Sequence, residues 1–159
     1  MRILLALAGV LGSLALLVHL AQRRLLYFPE RQDAEAALGQ ARRIGLEPWL
    51  GPGGEFLGWR APHPSGRAAG RLLVLHGNAG AALHRTYFRE VFQSAAIPVA
   101  LDVHLLEYPG YGPRGGSPSE RSLVAAAEEA IDFLAQPQSG PVWLVGESLG
   151  SAVAALAAA

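Results

Sequence analysis

The chain has 159 residues, a formal net charge of zero, no cysteine and no lysine, since all 13 of its basic residues are arginines. The balanced charge gives no indication of nucleic-acid binding. Without lysine there is no Walker A loop, Schiff base or serine–lysine dyad in this segment. Without cysteine there is no disulfide, thiol nucleophile or thiolate metal site. The length suits one domain.

Residues 1–24 are predicted to form a membrane anchor. Residues 3–21 carry no formal charge at neutral pH, and a helix of that length spans about 28 Å, enough to cross a bilayer. A cleaved signal peptide is the alternative, but Arg23 and Arg24 end the apolar run and no suitable cleavage site follows it. We therefore expect a single-pass anchor that contacts the lipid bilayer, with the side of the membrane left open.

Residues 25–159 show the pattern of an α/β domain. Residues 25–29 are expected to connect it to the anchor. A short helix is predicted at residues 33–43, and an amphipathic helix is predicted at residues 83–92 because its apolar residues recur at helical spacing. An antiparallel strand is expected at residues 55–60, after a glycine-rich turn.

Three apolar runs are predicted to form parallel strands buried on both faces of a sheet. They are residues 72–75, 103–108 and 142–145. Between the second and third, Ser117, Pro118 and Glu120 supply an N-cap, a proline at the first helical position and a capping-box glutamate, so a helix is expected to about residue 136. The alternation of strands and helices predicts a doubly wound, mostly parallel sheet.

The third strand leads directly into Gly146-Glu147-Ser148-Leu149-Gly150, which matches the pattern G-x-S-x-G. In that pattern the serine occupies a strained strand-to-helix turn, and bulky Cβ substituents are excluded two residues before and after it. The turn exposes the serine Oγ and directs the N–H of Leu149 toward the point where an oxyanion would form. The apolar strand before the motif and the helix-forming run after it are the context that the pattern requires.

A second loop, His76-Gly77-Asn78-Ala79-Gly80, follows the first of these strands. Its small residues allow a backbone N–H, assigned to Asn78, to face the same point as the Leu149 N–H. We therefore predict Ser148 as the catalytic nucleophile and Asn78 with Leu149 as the oxyanion hole. His76 is expected to organise the loop, because its place beside the donors does not suit a base that must reach Ser148.

A glycine pattern between the second strand and the following helix matches the dinucleotide fingerprint G-x-G-x-x-G. It consists of Gly110, Gly112 and Gly115. Pro113 and the delayed helix start argue against a nucleotide site. We expect no cofactor and no metal.

Three side chains near these motifs have two interpretations each. Tyr108 and Tyr111 either pack inside the loop or contact a substrate at its entrance. Glu147 either tunes the neighbouring nucleophile or is a solvated side chain of the turn. The residues alone leave these alternatives open.

The motifs within residues 75–80, 107–120 and 146–150 occur in the order found in the α/β-hydrolase superfamily. From about residue 25 to its end, the chain resembles membrane-anchored, single-domain serine hydrolases of the α/β-hydrolase domain-containing, serine aminopeptidase or lysophospholipase-like type. The resemblance implies a Ser-His-Asp mechanism without cofactor, acting on an ester, thioester or amide. A small-molecule or lipid-like acyl substrate is therefore expected.

One feature departs from that superfamily. The triad acid and histidine should follow the serine, but the eleven residues after Ser148 include no Asp, Glu or His. We therefore expect the N-terminal part of a hydrolase domain, with a C-terminally incomplete sheet and no activity of its own. The alternative is a non-catalytic, anchored α/β-hydrolase-like binding or scaffold protein. A downstream Asp followed by a His would favour the enzyme.

Overall fold

The computed structural model describes residues 2–137 and 140–159, and of residues 2–6 and 8 only the backbone. The strands are β1 (Glu47–Leu50), β2 (Phe56–Ala61), β3 (Gly70–Leu75), β4 (Leu101–Leu106) and β5 (Val142–Gly146). The α-helices are α1 (Arg2–Leu26), α2 (Ala34–Arg43), α3 (Tyr87–Phe92), α4 (Glu120–Leu134) and α5 (Leu149–Ala157), and a short 3-10 helix covers Ala82–Arg85.

The strands of the described part of the chain form one sheet in the order β1-β2-β4-β3-β5. β3 pairs in parallel with both β4 and β5, as predicted. β2 is antiparallel to β1 and to β4. The expectation of a mostly parallel sheet is therefore corrected to a mixed sheet. The sequence did not indicate β1, a four-residue strand that contains Pro48, because proline disfavours a strand. The strand lies at the edge of the sheet, where proline is tolerated.

Helices cover both faces of the sheet, as the doubly wound pattern predicts. Leu73 and Leu75 point to one face, which packs against α4 and α5. Leu72 and Val74 point to the other, which packs against α2, α3 and the 3-10 helix. Successive strand residues alternate between faces, and all four side chains are almost completely buried. β3 is thus the apolar centre of the domain.

Several helix boundaries differ from the sequence expectations. α2 confirms the helix expected at residues 33–43, with Asp33 as its N-cap. The amphipathic segment at residues 83–92 is divided into the 3-10 helix and α3. α4 begins two residues later than the expected proline start, because Ser119 and Ser122 form the capping box through their hydroxyl groups. Ser122 therefore performs the function that the sequence suggested for Glu120.

The first helix, α1, runs from Arg2 to Leu26, and its described side chains are mostly exposed. No helix among the described residues is long and apolar enough to cross a membrane. The span predicted at residues 3–21 is therefore not confirmed. The side chains of residues 3–6 and 8, which belong to that span, lie outside what the structure describes.

Candidate active site

Ser148 occupies a strained turn between β5 and α5. Its φ of 50° and ψ of −115° make it the only non-glycine residue with positive φ in the described part of the chain. Such a conformation costs about 1–3 kcal/mol and persists only where the surrounding structure enforces it. The serine is exposed, and its Oγ makes no hydrogen bond to another described residue.

The glycines of the motif are required by close backbone contacts. A Cβ at Gly146 would lie 2.5 Å from the Gly150 oxygen, and a Cβ at Gly150 would lie 1.9 Å from the Leu75 oxygen. Both distances are far below van der Waals contact. The Glu147 N–H donates to the Leu75 oxygen at 2.9 Å, which holds the turn against the end of β3.

The two loops predicted to form the oxyanion hole lie side by side. β3 and β5 pair in parallel with Leu75 opposite Gly146, so the segments after them leave the sheet at the same edge. A Cβ at Gly77 would lie 2.8 Å from Oε1 of Glu147, which shows how closely the loop approaches the serine turn. The N–H groups of Asn78 and Leu149 donate to no other residue in the described ranges, as expected for Leu149 in the first turn of a helix.

The side chain of Asn78 binds the segment that follows α1. Its Oδ1 accepts hydrogen bonds from the Phe28 N–H at 3.1 Å and the Tyr111 hydroxyl at 2.8 Å, and its amide donates to the Leu26 carbonyl. Nothing in the sequence indicates this contact, because Leu26 and Phe28 are about fifty positions away. The side chain of Asn78 thus holds this segment, and its backbone N–H is the donor predicted for the oxyanion.

His76 lies beneath the same loop in a buried cluster. Its Nδ1 lies 2.7 Å from the Gly77 oxygen, and its Nε2 lies 3.4 Å from a carboxylate oxygen of Glu107. Glu107 is also buried, and it accepts the Ala82 N–H at 3.0 Å. These contacts fit the expected role of His76 in organising the loop.

Tyr108 and Tyr111 pack against His76, with ring centroids 4.4 and 5.3 Å from the imidazole. Both are completely buried, which decides between the two interpretations in favour of packing. Burial raises the pKa of Tyr111 to about 12 and raises the pKa of Tyr108 above its ordinary range. A Cβ at Gly112 would lie 2.2 Å from Oε2 of Glu107, so this glycine admits a buried carboxylate rather than a phosphate.

Glu147 is paired rather than solvated. Arg85 donates from Nε and Nη2 to the two carboxylate oxygens at 2.9 and 3.0 Å, and the Tyr87 hydroxyl donates to Oε2. Burial raises the pKa of Glu147, but the hydrogen bonds from Tyr87 and Arg85 outweigh burial and lower it below its ordinary value. The sequence could not show this pair, whose members are 62 positions apart.

A cavity of about 490 Å³ opens at the amino ends of β3 and β4. Trp49, Arg60, Asp102 and His104 are among its lining residues, which include none of the serine turn. We place the site at the opposite edge of the sheet, because the strained serine and the close loop contacts are there. Within the described ranges, no group of three His, Asp or Glu side chains could hold a metal ion.

The fold and this turn define the class of protein. An open sheet with helices on both faces and a strained serine between a parallel strand and a helix is the architecture of α/β hydrolases. A model described as the alpha/beta hydrolase family matches residues 72–159, more than half of the chain. The chain therefore belongs to the alpha/beta hydrolase family.

Relatives of the chain include proteins of bacteria and animals. An uncharacterised protein of Mycobacterium tuberculosis is 35% identical over 153 residues, which cover 92% of this chain and 52% of that protein. The lysophosphatidylserine lipase ABHD12 of Gallus gallus is 37% identical over 86 residues, which cover 52% of this chain and 22% of the lipase. The chain thus spans about half the length of the Mycobacterium protein and a smaller share of the lipase.

A solved structure agrees with the fold. An esterase of Pyrococcus furiosus aligns with a TM-score of 0.56 and 16% sequence identity. The alignment covers 81% of this chain and 49% of the esterase. At this identity the likeness shows the fold alone.

Proposed function

We propose that the protein is a serine hydrolase in which Ser148 attacks the carbonyl carbon of an ester, thioester or amide. The observation that carries this proposal is the conformation of Ser148, an exposed residue with a strained backbone that is followed directly by α5. Attack forms an acyl-enzyme and expels the alcohol, thiol or amine, which takes up a proton. Water then cleaves the acyl-enzyme and releases the acid.

The oxyanion of each tetrahedral intermediate would be bound by the N–H groups of Asn78 and Leu149. Two observations support this assignment: neither group donates to another described residue, and the loops that carry them are in contact. Preorganised donors act on charge that develops in the transition state, and each is worth about 10²–10³ in kcat. Such donors contribute most to the chemical step and little to substrate binding.

The acid and the base of the triad would come from outside this chain. In this fold both residues follow the nucleophile, and no Asp, Glu or His follows Ser148 here. Within the chain, the nearby His76 is buried beneath the loop, and its Nδ1 lies 2.7 Å from the Gly77 oxygen. Without a base, Ser148 would remain a weak nucleophile, so residues 28–159 alone should not turn over esters.

For the substrate, we favour a carboxylic ester with a lipid-like acyl group. The support is the name of a similar protein, the lysophosphatidylserine lipase. The test compares one acyl group presented to the full-length protein as a p-nitrophenyl ester, a thioester and a p-nitroanilide. Ester hydrolysis that is lost in Ser148→Ala supports the proposal, and ester hydrolysis that is unchanged in that variant overturns it.

Attachment to a lipid bilayer through residues 3–21 remains a prediction, supported by the uncharged run in the sequence. An inserted span resists extraction far better than a peripheral helix. The protein expressed from Met1 should therefore stay in the membrane pellet after an alkaline carbonate wash. Its release into the supernatant, or a mature N-terminus after Ala21, would contradict the anchor.

A further inference from the structure

The Arg85 guanidinium joins the two loops of the proposed oxyanion hole. On one side it forms a two-pronged ion pair with Glu147, the residue before the nucleophile. On the other side, its Nη2 donates to the Ala79 carbonyl at 3.1 Å. One rigid, planar group thus contacts both the serine turn and the loop that carries Asn78.

The Arg85–Glu147 ion pair is held firmly enough to fix the relative position of the two loops. The side chains of Arg85 and Glu147 are only 15% and 32% exposed, and Tyr87 adds a third donor to the carboxylate. The backbone of Glu147 is itself held by the Leu75 carbonyl. A two-pronged contact fixes distance and orientation together.

The pair also has an electrostatic effect. A carboxylate one residue from the nucleophile would repel the negative charge that develops on the substrate oxygen. The guanidinium offsets that charge at hydrogen-bond distance. Loss of Arg85 alone would leave the Glu147 carboxylate without its cation beside the oxyanion.

We propose that Arg85, anchored by Glu147, is a positioning residue that fixes the spacing of the Asn78 and Leu149 N–H groups and neutralises the carboxylate beside them. This inference rests on the proposed function. A donor must lie within about 3 Å of the oxyanion to act on it, and a misplacement of about 1 Å can cost roughly 10²-fold in rate. The effect should therefore fall on the chemical step.

The test compares Arg85→Gln, Arg85→Lys, Glu147→Gln and the double variant Arg85→Gln/Glu147→Gln in the full-length protein. The readouts are kcat and KM with p-nitrophenyl butyrate, the rate of labelling by a fluorophosphonate, and the thermal midpoint. We expect Arg85→Gln to lower kcat about 10-fold to 100-fold and to change KM less than about threefold. Arg85→Lys, which keeps the charge but not the fork, should lie between Arg85→Gln and wild type.

The double variant separates the effect of the unpaired Glu147 charge from the effect of losing the Arg85 contacts. Because it removes the unpaired carboxylate, its kcat should exceed that of Arg85→Gln by about threefold or more. Arg60→Gln is the matched control: Arg60 pairs with Glu47 at 3.0 Å on the exposed surface of β1 and β2, and its loss should leave kcat unchanged.

The outcomes distinguish this proposal from the proposed function. If wild type reacts through Ser148 while Arg85→Gln keeps the wild-type kcat, the positioning role is overturned and the serine hydrolase stands. A raised KM with unchanged kcat would likewise overturn it, because Arg85 would then contact the substrate. If wild type shows no reaction that depends on Ser148, both proposals are overturned.

Discussion

The carbonyl oxygen of Leu75 lies only 1.9 Å from the point that a Cβ at Gly150 would occupy. The first turn of α5 therefore rests directly on the end of β3. This contact predicts that Gly150→Ala is incompatible with the native serine turn. We expect its free energy of unfolding to fall by about 3 kcal/mol or more, measured by urea unfolding of the full-length protein.

Gly115→Ala is the control for that substitution. A Cβ at Gly115 meets nothing within 4 Å, and the residue is exposed. The free energy of unfolding of Gly115→Ala should stay within about 0.5 kcal/mol of the wild-type value. Equal stability of the two variants would show that α5 does not contact β3 as described.

Much of the serine turn could be predicted from sequence because its constraints are local. Gly146 and Gly150 are required by contacts of the turn with itself and with the adjacent strand, and an apolar strand precedes them. The role of Glu147 could not be predicted in the same way, because its partner Arg85 lies 62 positions earlier in the sequence. The role of Tyr111, between Gly110 and Gly112, was also ambiguous. An aromatic residue in such a loop can lie on the surface, and only the fold shows that Tyr111 is buried.

The position of the N-cap of α4 shows a second limit of sequence reasoning. Ser117 and Ser119 are both good caps, and the sequence supplied Pro118 and Glu120 in favour of the first. The structure uses Ser119, because the Ser122 hydroxyl returns its hydrogen bond. Local propensity could place this helix within two residues but could not choose between equivalent caps.

Asn78→Ala should separate the role of the Asn78 side chain from the role of its backbone N–H. The substitution removes the three hydrogen bonds to Leu26, Phe28 and Tyr111 but keeps the N–H proposed for the oxyanion hole. Hydrogen exchange of residues 26–32 should therefore become faster, while the rate of fluorophosphonate labelling should fall less than about tenfold.

Tyr111→Phe is the milder control for Asn78→Ala, because it deletes one of the same hydrogen bonds and keeps the buried ring. It should accelerate exchange of residues 26–32 less than Asn78→Ala does. Unchanged exchange in Asn78→Ala would show that the side chain does not hold this segment.

Because His104 is buried, we expect the protein to lose stability in acid. Burial lowers its pKa from 6.5 to about 4, while Asp102 raises it and Arg71 and Arg60 lower it further. Between these two pKa values the unfolded chain binds a proton that the folded chain does not, so stability falls as the pH drops from about 6.5 to about 4. At about 1.4 kcal/mol per pKa unit, the loss should approach 3 kcal/mol.

His104→Phe removes this titration and keeps a ring beside Trp49, whose centroid lies 4.8 Å from the imidazole. Urea unfolding of both proteins at pH 7, 5.5 and 4.5 gives the comparison. The stability difference should shift in favour of the variant as the pH falls. A difference that does not change with pH would contradict the burial of a neutral His104.

Ser148 is tested most directly as the nucleophile by labelling the full-length protein with a fluorophosphonate probe, with Ser148→Ala and Ser151→Ala compared with wild type. Ser151 is the matched control, since it lies one turn further on α5 and its hydroxyl donates to the Gly146 carbonyl. Loss of the nucleophile costs serine hydrolases about 10⁴-fold to 10⁶-fold in rate. We predict labelling of wild type and Ser151→Ala at Ser148 and none of Ser148→Ala; labelling that persists in Ser148→Ala would contradict the assignment of Ser148 as the nucleophile.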